Sequence, residues 1–216
     1  MPVKQIRIGG LVDPNDVKPA PGPLRVVQEF VNTRSNLRGS DLLEDAEGTA
    51  RWLAGHGLFP DGVAEVGDAD RRRLLSFREG LRRVLVVHNA AAELRGGEVA
   101  AIFEEPDDAA GAALLRVSFD PSGEPRLRPA EGKGDEVDKA IASMLAAVVQ
   151  SAVDGTWERL KACRNEGCKW AFYDSAKNRS GTWCHMDACG ARHKMRAYRE
   201  RRSGRDGRAG TGGWQR

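Results

Sequence analysis

All four cysteines of this 216-residue chain lie within 27 consecutive positions, in the segment CRNEGCKWAFYDSAKNRSGTWCHMDAC. Their spacing, C-x4-C-x15-C-x4-C, places two short clips on either side of one loop, which is typical of a four-thiolate metal site. Zinc fits because its filled d shell imposes no geometry, so four thiolates close the coordination shell and leave no position for water. The sequence therefore predicts one structural zinc ion, held by Cys163, Cys168, Cys184 and Cys189.

The segment around the cysteines has few apolar side chains and needs the metal to become ordered, because structural zinc supplies ~10–16 kcal/mol. The alternatives are a pair of disulfides, four unrelated thiols, or redox sensing through the thiolates. The symmetry of the two clips favours the metal. His185 lies beside Cys184 and could replace a ligand, but the four-cysteine shell is complete without it.

The charge of the chain is unevenly distributed. Residues 157–216 hold 15 Lys/Arg against 6 Asp/Glu, a net charge of +9 in a chain of +3, so residues 1–156 carry −6. An acidic body with a basic end is expected where one part meets a polyanion. Nucleic acid is the first candidate, ahead of an anionic membrane surface or an acidic protein.

The N-terminal stretch MPVKQIRIGG has no apolar core of the length that a secretion signal needs. No window approaches the ~20 apolar residues of a membrane span. We therefore expect a soluble, cytoplasmic protein with no membrane partner, and clustered cysteines in a reducing compartment are more often metal ligands or redox groups.

The hydrophobic pattern predicts an α+β fold: a mainly helical N-terminal domain with a small β hairpin, then a four-cysteine finger and a basic helix. We expect a domain over residues 1–156 that folds without the finger, a finger over 157–203, and a disordered Gly/Arg-rich tail over 204–216. The expected elements are a strand IRIGGLV, helices from Pro23 to about 36, from Ser40 or Asp41 to His56, from Asp68 to about Arg95 and from Asp135 to Val153, a hairpin of Ala112 to Phe119 with Arg126 to Arg128, and a short helix TWERLKA.

Apolar residues at helical spacing mark the sides of these helices that we expect to face the core. The long third helix is expected to turn many arginines outward. The expected core-facing residues are Leu24, Val27, Phe30 and Val31, then Leu42, Leu43, Trp52 and Leu53, then Leu74, Leu75, Phe77, Leu81, Leu85 and Val86, and finally Val137, Ile141, Met144, Leu145 and Val148.

Four thiolates on one zinc ion leave two negative charges, so donors and cations are expected around the sulfurs. Arg164, Lys169 and Arg192 are near in sequence, and Gly167 and Gly190 could let the backbone turn and direct amides at sulfur. Four aromatic side chains are expected to form a small apolar pad under the site, and a core role is favoured over base stacking: Trp170, Phe172, Tyr173 and Trp183.

The run GARHKMRAYRERR after Cys189 predicts a basic helix, with Met195 and Tyr198 available to pack on the finger. Its charge surrounds the helix, which suits a groove between two phosphate backbones and equally suits a solvated surface helix. Asn178 and its basic neighbours in the loop between the clips could add contacts. The candidate nucleic-acid contacts are Lys177, Arg179, Arg192, Lys194, Arg196, Arg199, Arg201 and Arg202.

The segment FYDSAKNR, the cysteine pairs and WCHMDACGARHK resemble the CGNR zinc finger of bacterial proteins. The signature Asn is replaced by Ala191, whereas Cys189, Gly190 and Arg192 match. The preceding residues resemble the ABATE domain in EFVNTR, in ARWLAGHGL and in the Arg78-Glu79 pair. The resemblance implies a bacterial, stress-linked transcription regulator.

No catalytic motif occurs in a credible setting, so we expect no enzyme activity. His56 and His88 are interpreted as a helix cap and a satisfied helix residue. Four polar residues beside apolar helix faces could line a ligand pocket: Asn32, Thr33, Arg78 and Glu79. Two hypotheses stand: a DNA-binding regulator whose body senses a small ligand or a protein partner, or an uncharacterised enzyme or adaptor whose finger contacts protein or RNA.

Overall fold

The computed structural model describes residues 17–59, 66–89, 113–131 and 134–206. These residues form five α-helices and three two-stranded antiparallel sheets, which confirms the predicted α+β class. The helices are α1 Leu24–Val31, α2 Ala46–Gly55, α3 Asp68–His88, α4 Glu136–Val153 and α5 Ala191–Asp206, and the strand pairs are β1 Arg34–Ser35 with β2 Ser40–Asp41, β3 Leu115–Phe119 with β4 Pro125–Pro129, and β5 Leu160–Ala162 with β6 Ala171–Tyr173.

Several predicted elements lie outside the described residues. These are the strand IRIGGLV, the continuation of the third helix to Arg95, the first residue of the hairpin at Ala112, and the tail after Asp206. Residues 204–206, which were predicted to belong to the tail, are part of α5. Within the described ranges, no helix is both long enough and apolar enough to cross a membrane.

The core lies between α1, α3 and α4, whose apolar residues recur at helical spacing and are buried as predicted. Full burial of a Leu or Phe side chain contributes about 1.5–3 kcal/mol, so this cluster is the main source of stability. The buried set includes Leu24, Val27 and Phe30 of α1, Leu74, Phe77, Leu81 and Leu85 of α3, and Val137, Ile141 and Met144 of α4.

Two predictions about which side chains are buried are wrong. Leu42 was expected to face the core but is 59% exposed. Many arginines of α3 were expected to face outward, but Arg78 and Arg82 are buried. They can lie inside because their guanidinium groups bond to carboxylates and backbone carbonyls, as described below.

The second helix begins at Ala46, not at Ser40 or Asp41 as predicted. Asp45 is its N-cap, and the Asp45 carboxylate accepts a hydrogen bond of 2.6 Å from the N–H of Gly48. Residues 40–41 instead pair with residues 34–35 as a short antiparallel ladder.

The predicted helix TWERLKA is mostly wrong. A single 3-10 turn, Trp157–Arg159, is followed by strand β5, which pairs with β6 in the register Leu160 to Tyr173. All three residues of β5 are buried. Tertiary pairing therefore overrides the local helical pattern, and it brings the chain to Cys163 at the end of a strand.

Candidate zinc centre and nucleic-acid interface

The first pair of cysteines lies on the connection between β5 and β6. The N–H of Cys163 donates to the carbonyl of Trp170 at 2.9 Å, which extends the ladder by one step, and the N–H of Cys168 closes a turn onto the carbonyl of Asn165 at 2.8 Å. Lys169 follows with a φ of 50°, so the chain reverses sharply after the second cysteine. Local backbone bonds thus fix both thiols on one side of the hairpin.

The second pair spans the start of one π-helical turn, Met186–Gly190: Cys184 precedes the turn and Cys189 lies in it. The turn continues directly into α5. The N–H groups of Cys189 and Gly190 both donate to the carbonyl of His185, at 3.0 and 3.2 Å. This shared acceptor widens the turn and points Cys189 back toward Cys184. Helix α5 consequently starts at the metal site itself.

The four sulfur atoms lie within 4.8 Å of one another. The Sγ of Cys184 is 3.7 Å from that of Cys168 and 3.8 Å from that of Cys189. A tetrahedron with zinc–sulfur distances of ~2.3 Å has sulfur–sulfur edges of about 3.8 Å, so the cluster fits one zinc ion. Three of the cysteines are buried and Cys184 is half-buried, which suits a closed structural site.

The sulfurs share hydrogen bonds that favour thiolate at Cys163, whereas the bond with Cys163 raises the pKa of Cys168 and of Cys184. Hydrogen bonding from Cys168, Cys184 and Cys189 lowers the pKa of Cys163 far below the ordinary thiol range. Asn165 Nδ2 lies 3.6 Å from the Sγ of Cys189 and donates to it. Bound zinc would take the place of the shared thiol protons and hold all four sulfurs as thiolates.

Two of the three cations predicted to lie near the sulfurs bond to oxygen atoms instead. Arg164 donates through Nε to the carbonyl of Asn89, and Lys169 forms an ion pair with Glu166. The amides of the two glycines also bond to oxygen, Gly167 to the side chain of Asn165 and Gly190 to His185. Asn165, whose side-chain amide donates to the Sγ of Cys189, was not predicted. It is neutral, and the side chains expected near the sulfurs were cations.

The predicted aromatic pad divides into two kinds of residue. Trp170 and Phe172 are buried in a cluster with Cys163, Cys168 and Cys189, as the core interpretation expects. Tyr173 is half-buried against the main core, and Trp183 is half-buried at the edge of the metal cluster. The ring of Trp183 packs against that of His193, with centroids 4.9 Å apart. Trp183 is therefore the member of the pad that packs at the metal cluster and is still partly accessible to solvent.

A buried ion pair organises the loop between the two cysteine pairs. Lys161 Nζ lies 2.8 Å from Asp174 Oδ2, and both side chains are almost fully buried. Asp174 also accepts from the N–H groups of Ala176 and Gly181. Burial raises the pKa of Asp174, but the bonds from Lys161 and these amides outweigh it and leave the pKa below its usual value. The loop that carries Lys177 and Arg179 is thus tied at both ends, and Arg179 pairs with Glu158 at 3.0 Å.

Side chains of the N-terminal domain hold the backbone of the finger. Arg82 donates to the carbonyl of Lys169 at 3.1 Å and to that of Val31 at 2.6 Å. Asn89 donates to the carbonyls of Ala162 and Thr182, at 2.7 and 2.9 Å. The main core itself includes Leu160, Ala162 and Ala171 of the finger. The two parts therefore share both an apolar core and a set of polar bonds.

The four predicted ligand-pocket residues lie in a hydrogen-bonded network. Arg78, only 1% exposed, donates to both oxygens of Asp41 at 2.7 and 2.8 Å, to Thr33 Oγ1 at 3.0 Å and to Glu79 at 2.9 Å. Asn32 bonds to the backbone of Ala171. Each of the four has protein partners, which favours a structural role, and ligand binding by them stays a prediction.

The histidines of the N-terminal domain also have protein partners. His56 Nδ1 lies 2.7 Å from the carbonyl of Trp52, and its ring stacks on that of Trp52. His88 Nδ1 lies 2.8 Å from the carbonyl of Leu160, and burial lowers the pKa of His88. Both agree with the interpretation as cap and satisfied helix residue.

Helix α5 is exposed around its circumference. Among residues 191–202, Ala191 and Ala197 are half-buried and the other ten are exposed. Met195 and Tyr198, which were expected to be available to pack on the finger, are 53% and 48% exposed. These twelve residues include one acid, Glu200, and six basic residues that are distributed around the helix. The six are the predicted contacts Arg192, Lys194, Arg196, Arg199, Arg201 and Arg202.

The basic residues of the loop and of α5 lie along adjoining concavities. A cleft of about 500 Å³ is lined by Arg164 and Arg179, a pocket of about 250 Å³ by Arg164, Arg192 and Arg196, and a third cavity of about 530 Å³ by Arg192, Arg196 and Arg199. Neighbouring concavities share these arginines, and basic residues outnumber the one acid that lines each of them, Glu158, Glu166 and Asp187 in turn.

The fold and the site together define a class: a helical domain followed by a four-cysteine zinc finger from which a basic helix projects. The family model of the CGNR zinc finger matches residues 159–202. The model of the ABATE family, described as "Putative stress-induced transcription regulator", matches residues 24–155, more than half of the chain. The chain therefore belongs to the ABATE family and ends in a CGNR zinc finger, as the resemblance indicated. Comparison with curated proteins finds no match.

Proposed function

We propose that this protein is a zinc-dependent DNA-binding regulator, in which the finger presents α5 and the loop residues Lys177 and Arg179 to the phosphate backbone. The observation that carries the proposal is the exposure of basic side chains on all sides of a helix that starts at the metal site. Zinc has a structural role here: it fixes the direction in which the helix leaves the finger.

The dimensions of α5 suit a duplex. Its 16 residues extend about 24 Å at 1.5 Å per residue, and the major groove of B-DNA is about 12 Å wide and accepts one helix. A helix in that position has a phosphate backbone on each side, so cations around its circumference reach both. Phosphate contacts of this kind give affinity without sequence preference.

The sensing half of the proposal concerns the cleft of about 500 Å³ between the end of α3 and the finger. His88 and Asn89 line it from the N-terminal domain, and Trp157, Lys161 and Arg179 line it from the other side. A small ligand or a peptide bound there would contact both parts and would compete for Arg179. The predicted site at Asn32, Thr33, Arg78 and Glu79 is the alternative location.

A protein or RNA adaptor is the second candidate function. It is favoured by the exposed side chains of Met186, Met195 and Tyr198, which interrupt the basic surface of the finger with apolar area. Met and Tyr are common in protein interfaces. Such a partner would still need to be acidic to match the surrounding arginines.

The test is a titration of the zinc-loaded full chain with duplex DNA and with duplex RNA at several salt concentrations. The proposal expects log K for DNA to fall linearly with log salt, and one DNA sequence among a random pool to be preferred. Equal binding to RNA without preference would support the adaptor. A chain that binds neither nucleic acid at low salt would remove the proposal.

A further inference from the structure

We propose that the pocket between Trp183 and the first turn of α5 binds a single unpaired nucleotide, with its base against the Trp183–His193 pair and its phosphate among three arginines. The Trp183 pocket is lined by Leu37, Arg164, Trp183, Arg192, His193 and Arg196. This inference rests on the proposed function and names the part of the nucleic acid that the finger would hold.

The aromatic wall of the pocket is set in place by the metal site. Trp183 packs on the cluster that contains Cys163, Cys168 and Cys189, and its ring lies against His193 of α5. A Cβ on Gly190 would come within 3.3 Å of the Trp183 ring and 2.6 Å of Met186 Sδ. The glycine beside the last zinc ligand thus permits the close approach of this ring, so the Trp183 side of the stacking surface is packed before any ligand arrives.

The charged wall has three guanidinium groups. Arg164 is oriented by its Nε bond to the carbonyl of Asn89 at 2.9 Å, and Arg192 and Arg196 are exposed on successive turns of α5. The acid in the pocket, Glu166, is 82% exposed and lies 3.0 Å from Lys169, so its charge is partly neutralised. Guanidinium groups bind phosphate oxygens in pairs, which makes this wall suited to a phosphate.

Size and shape select the nucleotide. The pocket volume of about 250 Å³ is below the ~300–1,000 Å³ of sites that enclose drug-sized ligands, so it suits one base and not a run of bases. The aliphatic side chain of Leu37, from the turn between β1 and β2, closes the pocket from the N-terminal domain. An aromatic surface, an apolar wall and clustered arginines are together the requirements for stacking one base and neutralising its phosphate.

Such a nucleotide could belong to a strand, as a bulge or an overhang, or could be free in solution. The test uses the zinc-loaded full chain and three probes: a fully paired duplex, the same duplex with one bulged 2-aminopurine, and free 2-aminopurine nucleoside monophosphate. Stacking on an aromatic ring quenches 2-aminopurine fluorescence. We expect the bulged duplex to be quenched and to bind about tenfold more tightly than the paired duplex.

Two pocket variants and one control connect this preference to the pocket. His193→Ala removes an exposed ring and should abolish the tenfold preference while leaving the affinity for the paired duplex within about twofold. Lys194→Ala, at the next position of α5 and outside the pocket, should weaken binding to both duplexes equally and preserve their ratio. Trp183→Leu should act like His193→Ala, provided that its zinc content and helicity are unchanged.

Quenching of the monophosphate that is lost in His193→Ala would assign the pocket to a free nucleotide. Equal binding of the two duplexes with no quenching of any probe would overturn the inference, as would a preference that survives both pocket variants. If neither duplex binds at any salt concentration, the proposed function fails, and the monophosphate then decides separately whether the pocket binds a nucleotide.

Discussion

Asn32 and Ala171 bond to each other twice: the N–H of Ala171 donates to Asn32 Oδ1 at 2.7 Å, and Asn32 Nδ2 donates to the carbonyl of Ala171 at 2.9 Å. The side-chain amide of Asn32 thus makes the pair of hydrogen bonds with Ala171 of β6 that the backbone of a neighbouring strand would make. Since Asn32 ends α1 and Ala171 follows the first cysteine pair by three residues, this contact joins the N-terminal domain to the finger.

Asn32→Ala should destabilise the zinc-loaded protein by about 1–3 kcal/mol, because the N–H of Ala171 loses its bond to Asn32 and the carbonyl keeps only the longer bond from Gln28 Nε2, at 3.4 Å. Urea denaturation measures the change in the free energy of unfolding. Asn36→Ala removes an exposed Asn from the nearby turn and serves as the control, with an expected change below about 0.5 kcal/mol. Equal effects of the two substitutions would contradict a joining role for Asn32.

Cys184→Ser should destabilise the N-terminal domain together with the finger. The sequence predicts that residues 1–156 keep their own transition, but the main core includes Leu160, Ala162 and Ala171, so loss of the zinc site exposes part of that core. Hydrogen exchange of the α1 and α3 amides should therefore accelerate. Unchanged protection of α3 would instead show two independently folded domains, and chelation of zinc from the wild-type protein should reproduce the variant.

Stability should fall in acid through Asp41. Burial raises the pKa of Asp41, but the bonds from Arg78 and from the N–H of Leu43 outweigh it, and the pKa lies below its ordinary value of 3.8. A carboxyl with a lowered folded pKa contributes stability above pH 3.8, and this stability is lost as the pH falls through the folded pKa. Asp41→Asn should therefore lower the free energy of unfolding by about 3–5 kcal/mol at pH 7. The free energy of unfolding of the variant should also fall less steeply than that of the wild type below about pH 4. Urea denaturation at a series of pH values measures both free energies of unfolding. If they fall in parallel with pH, Asp41 does not cause the loss of stability in acid.

Two glycines of the finger form a matched pair. A Cβ on Gly181 would lie 2.8 Å from Asp174 Cγ, whose carboxylate is fixed by buried Lys161, whereas a Cβ on Gly167 would have its nearest neighbour at 3.8 Å. Gly181→Ala should therefore disturb the loop that carries Lys177 and Arg179, at a cost of about 1–3 kcal/mol. Gly167→Ala should change stability by less than about 0.5 kcal/mol. Thermal denaturation measures the stability of both variants. If Gly181→Ala loses no more stability than Gly167→Ala, the loop is not held rigidly against Asp174.

Replacing Arg192, Arg196 or Arg199 by Ala should weaken binding to every duplex and reduce the slope of log K against log salt by roughly 0.9 per lost phosphate contact. An arginine that reads a base would behave differently, since its loss costs about 1–3 kcal/mol on the preferred sequence and little on random DNA. Arg116→Ala, on strand β3, is the charge-matched control and should leave the slope unchanged. If all four variants behave like the wild type, α5 has no part in DNA binding.

The zinc ligands were predictable because their spacing alone implies the geometry, and four sulfurs in two clips have few other uses. The core-facing residues of α1 and α4 were predictable for a similar reason, since a helical period of apolar residues has one buried side. Both signals are local in sequence. The Asn32–Ala171 contact joins residues 139 positions apart, and a neutral Asn shows no pattern that would indicate such a partner.

The errors have the same origin. Strand β5 was predicted as a helix because its support comes from pairing with β6, beyond the first cysteine pair, and from contacts with the distant end of α3. The burial of Lys161 and Arg78 also depends on distant residues, because Asp174 and Asp41 each supply a countercharge. The conformation of β5 and the burial of Lys161 and Arg78 thus depend on residues in other segments of the chain. A pattern read over neighbouring residues does not include those partners.

Because α5 begins at the π-helical turn, a small rotation at the metal site produces a larger displacement at the far end of the helix. The helix extends about 24 Å from Gly190, so a reorientation of ~10° at the turn displaces its far end by about 4 Å. That displacement exceeds the length of an arginine–phosphate hydrogen bond of ~2.9 Å. A slightly larger metal ion at the four sulfurs, such as cadmium, could thus leave the finger folded and still bring the distal arginines out of register with the phosphates.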